Sequence, residues 1–162
     1  MIPMWFEALD GNPRLRRLAD KHYSRVKPGT PLFVGPGRKL VLTTVNFDAL
    51  FVWRSSVYRR DTEAGIECTI FRNESKHLSS DMIREACKWA WQRWPRERLF
   101  TYVDAAKVRS SNPGCCFKKA GWRQLPRRTK VHNLIILENT NYSGEKPMPV
   151  IEQQRLDEDR RG

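Results

Sequence analysis

The chain has 162 residues, 40% of them apolar with six Trp and seven Phe, which suits one domain with a sizeable core and excludes global disorder. No apolar run reaches the roughly 20 residues that a spanning helix needs, and the opening "MIPMWFEALDGNPRLRR" lacks the basic and continuous apolar regions of a signal peptide; a soluble, cytoplasmic protein is expected. Thirty Lys and Arg against 18 Asp and Glu give a net charge of +12, a surplus that favours a polyanionic partner because each neutralised phosphate releases counterions.

In "DGNPRLRRLADKHYSR", Asn12 is placed to cap a helix that starts at Pro13, with Leu15, Leu18, Ala19 and His22 on its buried side. "TPLFVGPGRKLVLTTV" predicts two strands joined across Gly35-Pro36-Gly37, "ALFVWRSS" a third, "VYRRDTEAG" a basic loop and "IECTIFRNE" (66–74) a fourth strand. "SSDMIREACKWAWQRW" carries the strongest helical pattern. Ser79 or Ser80 is expected to cap it, and Ile83, Ala86, Cys87, Ala90 and Trp94 form its apolar face. Pro95 closes that helix, and "RLFTYVD" reads as a strand of the sheet interior.

Asn112 and Pro113 repeat the cap-then-proline start, ahead of a helix of about two turns that ends at Gly121, with Cys116, Phe117 and Ala120 on one face. Cys68, Cys87, Cys115 and Cys116 show no CxxC spacing, and two neighbouring cysteines do not easily turn both sulfurs to one ion, so they are expected to pack as small hydrophobes. After a basic turn "PRRTK", "VHNLIILEN" is the last predicted strand. The expected organisation is one domain over residues 1–138 and a mobile polar tail over 139–162; the tail holds four basic and five acidic residues, so the surplus charge lies in the domain. The element order describes an α/β sandwich around one mixed sheet, and the strand–helix–strand unit from Ile66 to Asp104 requires two parallel neighbours in its middle.

The stretch from Gly65 to Arg123, closing on Asn112, Phe117, Lys119, Gly121 and Trp122, resembles the acetyl-CoA-binding half of the GNAT N-acyltransferase fold. That resemblance implies a mixed, mostly antiparallel sheet with a central parallel pair and helices on both faces. It also implies acetyl-CoA or a related acyl donor, held along Ile70, Phe71 and Arg72, at Leu78, Ser79 and Ser80, and at Asn112 and Phe117. The family's pyrophosphate loop is glycine-rich; "RNESKHLSS" has no glycine, but amides at the start of the following helix can bind an anion through the helix dipole. Many members carry a tyrosine acid where Phe117 stands.

"HYSR" (His22, Tyr23, Ser24, Arg25), "PGTPLFVGPG" and "YVD" with "NPGCCFKKAGW" are similar to the Mom-like, phage DNA-modification branch of that fold. This implies transfer of an acyl-derived group, of the carbamoylmethyl or acetamido type, to the exocyclic N6 amine of adenine in double-stranded DNA, shielding phage DNA from host restriction. His22, Tyr23, Ser24 and Asp104 become the active-site candidates.

The adenine amine is conjugated into its ring and is a weak nucleophile, so its reaction needs a base and a place for charge. Asp104 ends the interior strand at the carboxyl edge of the sheet, where it is either catalytic or a loop cap paired with Lys107 or Arg109. His22 and Tyr23 offer a neutral base and a phenol side by side, or alternatively ligate a metal such as iron; the bland reading of His22 is a satisfied core residue. With no hydroxyl at Phe117, Tyr23 or water is left to protonate a leaving thiolate, unless Phe117 simply packs on the donor's arm. DNA contacts are expected from Arg54, Arg59, Arg60, Lys107, Arg109, Arg127, Arg128 and Lys130, with Trp53 or Tyr58 stacking on a flipped base; the alternative is a solvated basic face over core aromatics. Two other functions compete: a conventional GNAT acetyltransferase of a protein or small amine, and a non-enzymatic DNA-binding protein on a degenerate acyltransferase fold.

Overall fold

The computed structural model describes residues 3–22, 32–33, 37–55, 63–108 and 112–141. In chain order these form β1 (Phe6–Ala8), α1 (Pro13–Asp20), β2 (Arg38–Thr43), β3 (Ala49–Ser55), β4 (Ile66–Asn73), α2 (Ser79–Arg93), β5 (Leu99–Val103), α3 (Cys115–Lys119), β6 (Arg123–Arg128) and β7 (Ile135–Asn139). The strands make one open sheet in the order β1-β2-β3-β4-β5-β7-β6, an α+β architecture. Every neighbouring pair is antiparallel except β4 and β5, the parallel pair that the strand–helix–strand unit requires.

Alternation along the strands divides the core between the two faces of the sheet. On one face Leu15, Leu18 and Ala19 of α1 pack on Val41, Leu50, Val52 and Ile70. On the other, α2 presents Met82, Ile83, Ala86, Cys87 and Ala90 to Leu40, Leu42, Phe51, Trp53 and Leu99. Indole groups fasten α2 from below: Trp5 Nε1 donates to the Met82 carbonyl (2.9 Å) and Trp53 Nε1 to the Ala86 carbonyl (3.0 Å). Each of these buried rings contributes about 1.5–3 kcal/mol of apolar burial while its one polar atom stays paired.

Several expectations are corrected. Leu32 and Phe33 form no strand; the Phe33 amide donates to Asp10 Oδ1 and its ring is buried. The remainder of "TPLFV" and residues 56–62 lie outside the described residues. Neither serine caps α2: Leu78 is the cap residue, Ser79 Oγ accepts from Asn73 Nδ2, and Ser80 is buried. The helix α3 starts after Gly114, which takes φ +77°, and holds five residues rather than two turns. Pro126, Arg127 and Arg128 are not a turn but part of β6, an edge strand where a missing N–H and a bulge are tolerated. Val131–Leu134 precede β7 rather than belonging to it, and Asn139 is a buried strand residue rather than the first of a tail; residues 142–162 lie outside the described residues.

Gly65 holds the entry to β4 with φ +128°, and a Cβ there would run into the Arg98 carbonyl. That carbonyl accepts the Ile66 amide at 2.8 Å, so it cannot retreat without breaking the base of the parallel pair. Gly65→Ala is expected to destabilise the fold by about 2–4 kcal/mol, read as a fall in the denaturation midpoint; an unchanged midpoint would show that the entry to β4 is free to adjust.

Candidate active site

The parallel pairing of β4 and β5 runs only from Ile66–Leu99 to Cys68–Thr101. Beyond it the facing residues of β3 jump from Ile70 to Cys68 between Val52 and Trp53, which leaves Thr69 as an extra residue in β4. Such a bulge bends its strand and reverses the side-chain alternation. Hence Ile66 and Cys68 face α2, Ile70 faces α1, and Phe71 faces α2 again.

Where the strands part, a cavity of about 170 Å3 opens between them. From β4 it is lined by Cys68, Thr69 and Phe71, from β5 by Thr101, Tyr102 and Val103, and from the segment around α3 by Gly114, Cys116 and Phe117; His22 and Val108 complete it. Its lining thus draws on both faces of the sheet. Phe117 stands edge-on to Phe71 at 6.1 Å and to Trp122 at 4.9 Å, a rigid aromatic wall. Gly114 takes φ +77° there, a conformation that side chains rarely adopt, and a Cβ would press on the Leu137 side chain.

His22 follows α1 and reaches the cavity half-buried. Burial, with the Arg72 guanidinium adding repulsion, pushes its imidazole down to about 4, so the ring is neutral at physiological pH. The end of α1 is held in place by Glu74, which takes Arg17 at 2.7 Å, Lys21 at 3.2 Å and Arg72 at 3.2 Å. Those cations, Arg17 foremost, hold the Glu74 carboxyl down to about 2.

Asp104 directly follows Val103, at the carboxyl end of β5, but is not part of the lining. Its Oδ1 accepts the Ala106 amide at 3.0 Å and its carbonyl accepts the Lys107 and Val108 amides, so it does cap the loop that carries Val108 into the cavity. Tyr23 and Ser24 lie outside the described residues.

Of the residues expected along a donor, Phe71 and Phe117 line the cavity, whereas Ile70 is corrected to the α1 core by the bulge. Arg72 pairs with Glu74, Leu78 is the cap residue of α2, and Ser79 and Ser80 begin it. Asn112 Oδ1 accepts Lys118 Nζ at 2.8 Å. The loop between β4 and α2 is shaped by Asn73: its Nδ2 donates to the His77 carbonyl and Ser79 Oγ, and its Oδ1 accepts both the amide and the hydroxyl of Ser75.

Among the expected DNA contacts, Trp53 is corrected to core, fully buried and stacked 6.2 Å from Trp122. Arg54 pairs with Glu67 at 3.3 Å, and Arg127 makes a forked pair with Glu63 at 2.6 and 2.9 Å. Lys107, Arg128 and Lys130 are exposed or nearly so, while Tyr58, Arg59, Arg60 and Arg109 lie outside the described residues. Tyr102 and Gly114 stand in the sequence only as parts of "YVD" and "NPGCCFKKAGW", and no local signal marks Thr69.

Burial raises the thiol of Cys68 well above its usual range, that of Cys87 to about 12 and that of Cys116 upward, which keeps all three protonated and unreactive. Among the described residues no group of three or more His, Cys, Asp and Glu is arranged to hold a metal ion, and no helix is long and apolar enough to cross a membrane. The chain matches no family model, no curated protein and no solved structure.

Replacing the four cysteines by Ala is expected to cost on the order of 1 kcal/mol at each buried site and to leave whatever activity the folded protein has; a folded quadruple variant without activity would give the thiols a chemical role. The depressed His22 value sets a pH dependence of stability. As pH falls from about 6.5 towards 4 the unfolded chain takes up a proton at His22 that the folded chain refuses, so stability declines across that window and His22 adds no further decline below it. Denaturation midpoints followed between pH 7 and 4 should fall less in His22→Gln than in the parent; parallel curves would place His22 in solvent.

Proposed function

We propose that this chain is a DNA-modifying transferase of GNAT-like fold, which moves an acyl-derived group, of the carbamoylmethyl or acetamido type, onto the N6 amine of adenine in duplex DNA. The observation that carries the reading is the parting of β4 from β5 over a cavity walled by His22, Phe71, Tyr102 and Phe117. Among the described residues the ladder between β4 and β5 ends at Cys68 and Thr101, and the peptide groups of Ile70–Asn73 beyond it run along a strand edge of the kind that pairs with an extended, amide-bearing arm. At the far end of that edge the first amides of α2 precede any intrahelical acceptor and can receive an anion. The Asn73-tied loop supplies, through a side chain, the fixed turn that glycines allow elsewhere. These features suit an acyl-CoA-type donor: the N6 nitrogen bonds the thioester carbonyl carbon as the carbon–sulfur bond breaks, the amine proton goes to a base and the thiolate leaves, which gives an N6-acyl product, whereas a carbamoylmethyl product would need a donor that already carries the amide and has its leaving group on the CH2.

The chain's own groups cover the proton traffic. His22 is uncharged at neutral pH and can take a proton from the amine. Asp104 uses Oδ1 on Ala106, and its Oδ2 accepts no bond among the described residues, which leaves it available to orient the amine. Tyr102 lines the same cavity and is the one residue of its lining with the phenol that Phe117 lacks. The surplus of basic over acidic residues, 26 against 13 in the first 138 residues, favours a polyanionic acceptor over a free amine.

Mass spectrometry of nucleosides from DNA of cells that express the protein should show a mass-shifted deoxyadenosine. Asp104→Asn should lower its yield by about 100-fold or more, because the amide retains the bond to Ala106 but accepts no proton. Full modification by Asp104→Asn would return the aspartate to loop capping alone, and unmodified DNA from the parent would overturn the reading.

A further inference from the structure

The antiparallel hairpin formed by β6 and β7 is the feature that this reading leaves unused. From Gly121 to Leu137 the sequence contains no Asp or Glu, but has Arg123, Arg127, Arg128 and Lys130. The turn is closed at its neck: the Thr129 amide donates to the Leu134 carbonyl (3.0 Å) and the Leu134 amide to Thr129 Oγ1 (2.9 Å), with Asn133 at φ +53°. Beyond that neck stand four exposed residues, Lys130, Val131, His132 and Asn133. Val131 is 84% exposed, more than any other large apolar residue described.

Register places this tip. Ile135 pairs with Val103, so the turn projects from the same edge of the sheet as the end of β5, where Tyr102 and Val103 line the cavity and Asp104 begins the adjoining loop. Among the described residues neither Arg128 nor Lys130 meets a carboxylate. A lone valine that follows two cations is too small for a protein interface, which buries several hundred Å2 on each side. It does fit a stacked polyanion, where single apolar side chains enter between base steps and the flanking cations hold phosphates. A β-branched side chain on a closed turn loses little freedom in doing so.

We propose that the β6–β7 tip is a duplex-DNA probe: Val131 enters the base stack beside the nucleotide to be modified, and Arg128 and Lys130 bind phosphates next to it. The proposal rests on the DNA reading above and names the element by which that site meets its partner.

Binding of the full chain to short duplexes that carry the fluorescent base 2-aminopurine opposite thymine tests it. The parent should bind, brighten the probe through unstacking, and lose affinity steeply with salt. Arg128→Ala with Lys130→Ala should reduce the slope of log K against log salt by about 2. Val131→Ser should keep that slope but lose most of the brightening. All three side chains are solvent-exposed, so denaturation midpoints should match the parent, which separates lost contact from lost fold. Variants that bind with the parent's slope and brightening would overturn the probe while leaving DNA modification standing. Equal affinity of the parent for single-stranded RNA would overturn the duplex assignment, and a parent that binds no DNA at low salt would remove both the probe and the reading beneath it.

Discussion

Arg98 is the residue on which the arrangement of the sheet depends. Its carbonyl accepts the Ile66 amide, its guanidinium reaches Glu63 at 2.9 Å, Glu138 at 2.7 Å and the Ala64 carbonyl at 3.1 Å, and it lies 5.0 Å over the Phe100 ring. One side chain therefore joins the approach to β4, the start of β5 and the end of β7. Glu63 and Glu138 are both nearly inaccessible, and burying a carboxylate is unfavourable unless its lone pairs are filled. Here they are filled twice over: Arg127 and Arg98 hold Glu63 below the usual carboxylate range, and although burial pushes Glu138 up, Arg98 and Arg123 outweigh it. Three guanidinium groups on two carboxylates make this end of the sheet stiff and bind the edge strand β6 to it.

A fixed base is what allows the other end to open. Three paired residues hold β4 to β5, Thr69 then takes β4 out of step, and α1 and α3 close over the gap from opposite faces. The ion cluster on Glu74 is exposed and adds little to global stability, but it orients the last turn of α1, and through it His22 enters the gap. The division of labour is clear in the chemistry: permanent charges lock the base, while neutral and aromatic groups line the opening.

Much of this order was legible in the sequence. The Asn12-Pro13 start, the apolar face of α2, the interior character of β5 and the parallel pair all follow from local signals that tertiary packing reinforces. The misses have definite causes. β1 is three residues long, too short for a pattern, and β6 carries Pro126 among arginines, which reads as a turn unless the strand is known to lie at an edge. The resemblance puts Ile70 beside Phe71 along the donor, although alternation alone sends neighbouring residues to opposite faces; which of them faces the cavity depends on a bulge that no residue in "IECTIFRN" announces. Trp53 drew attention through the arginine beside it, yet its spacing from Ala49 and Phe51 was already that of a core face. At the site, His22, Phe71, Tyr102 and Phe117 line one cavity, whereas Asp104, expected to share a site with His22, is not in its lining.

The bulge at Thr69 also determines how such a cavity is inherited. Substitutions along β4 can change what lines the opening, but not the residue count that sets its step against β3. Deleting one residue would remove that step, turning Ile70 and everything after it to the other face. Which side chains face the opening is thus encoded by the number of residues in a strand as well as by their identity. The loss of a single codon would exchange the lining in a way that no single substitution does.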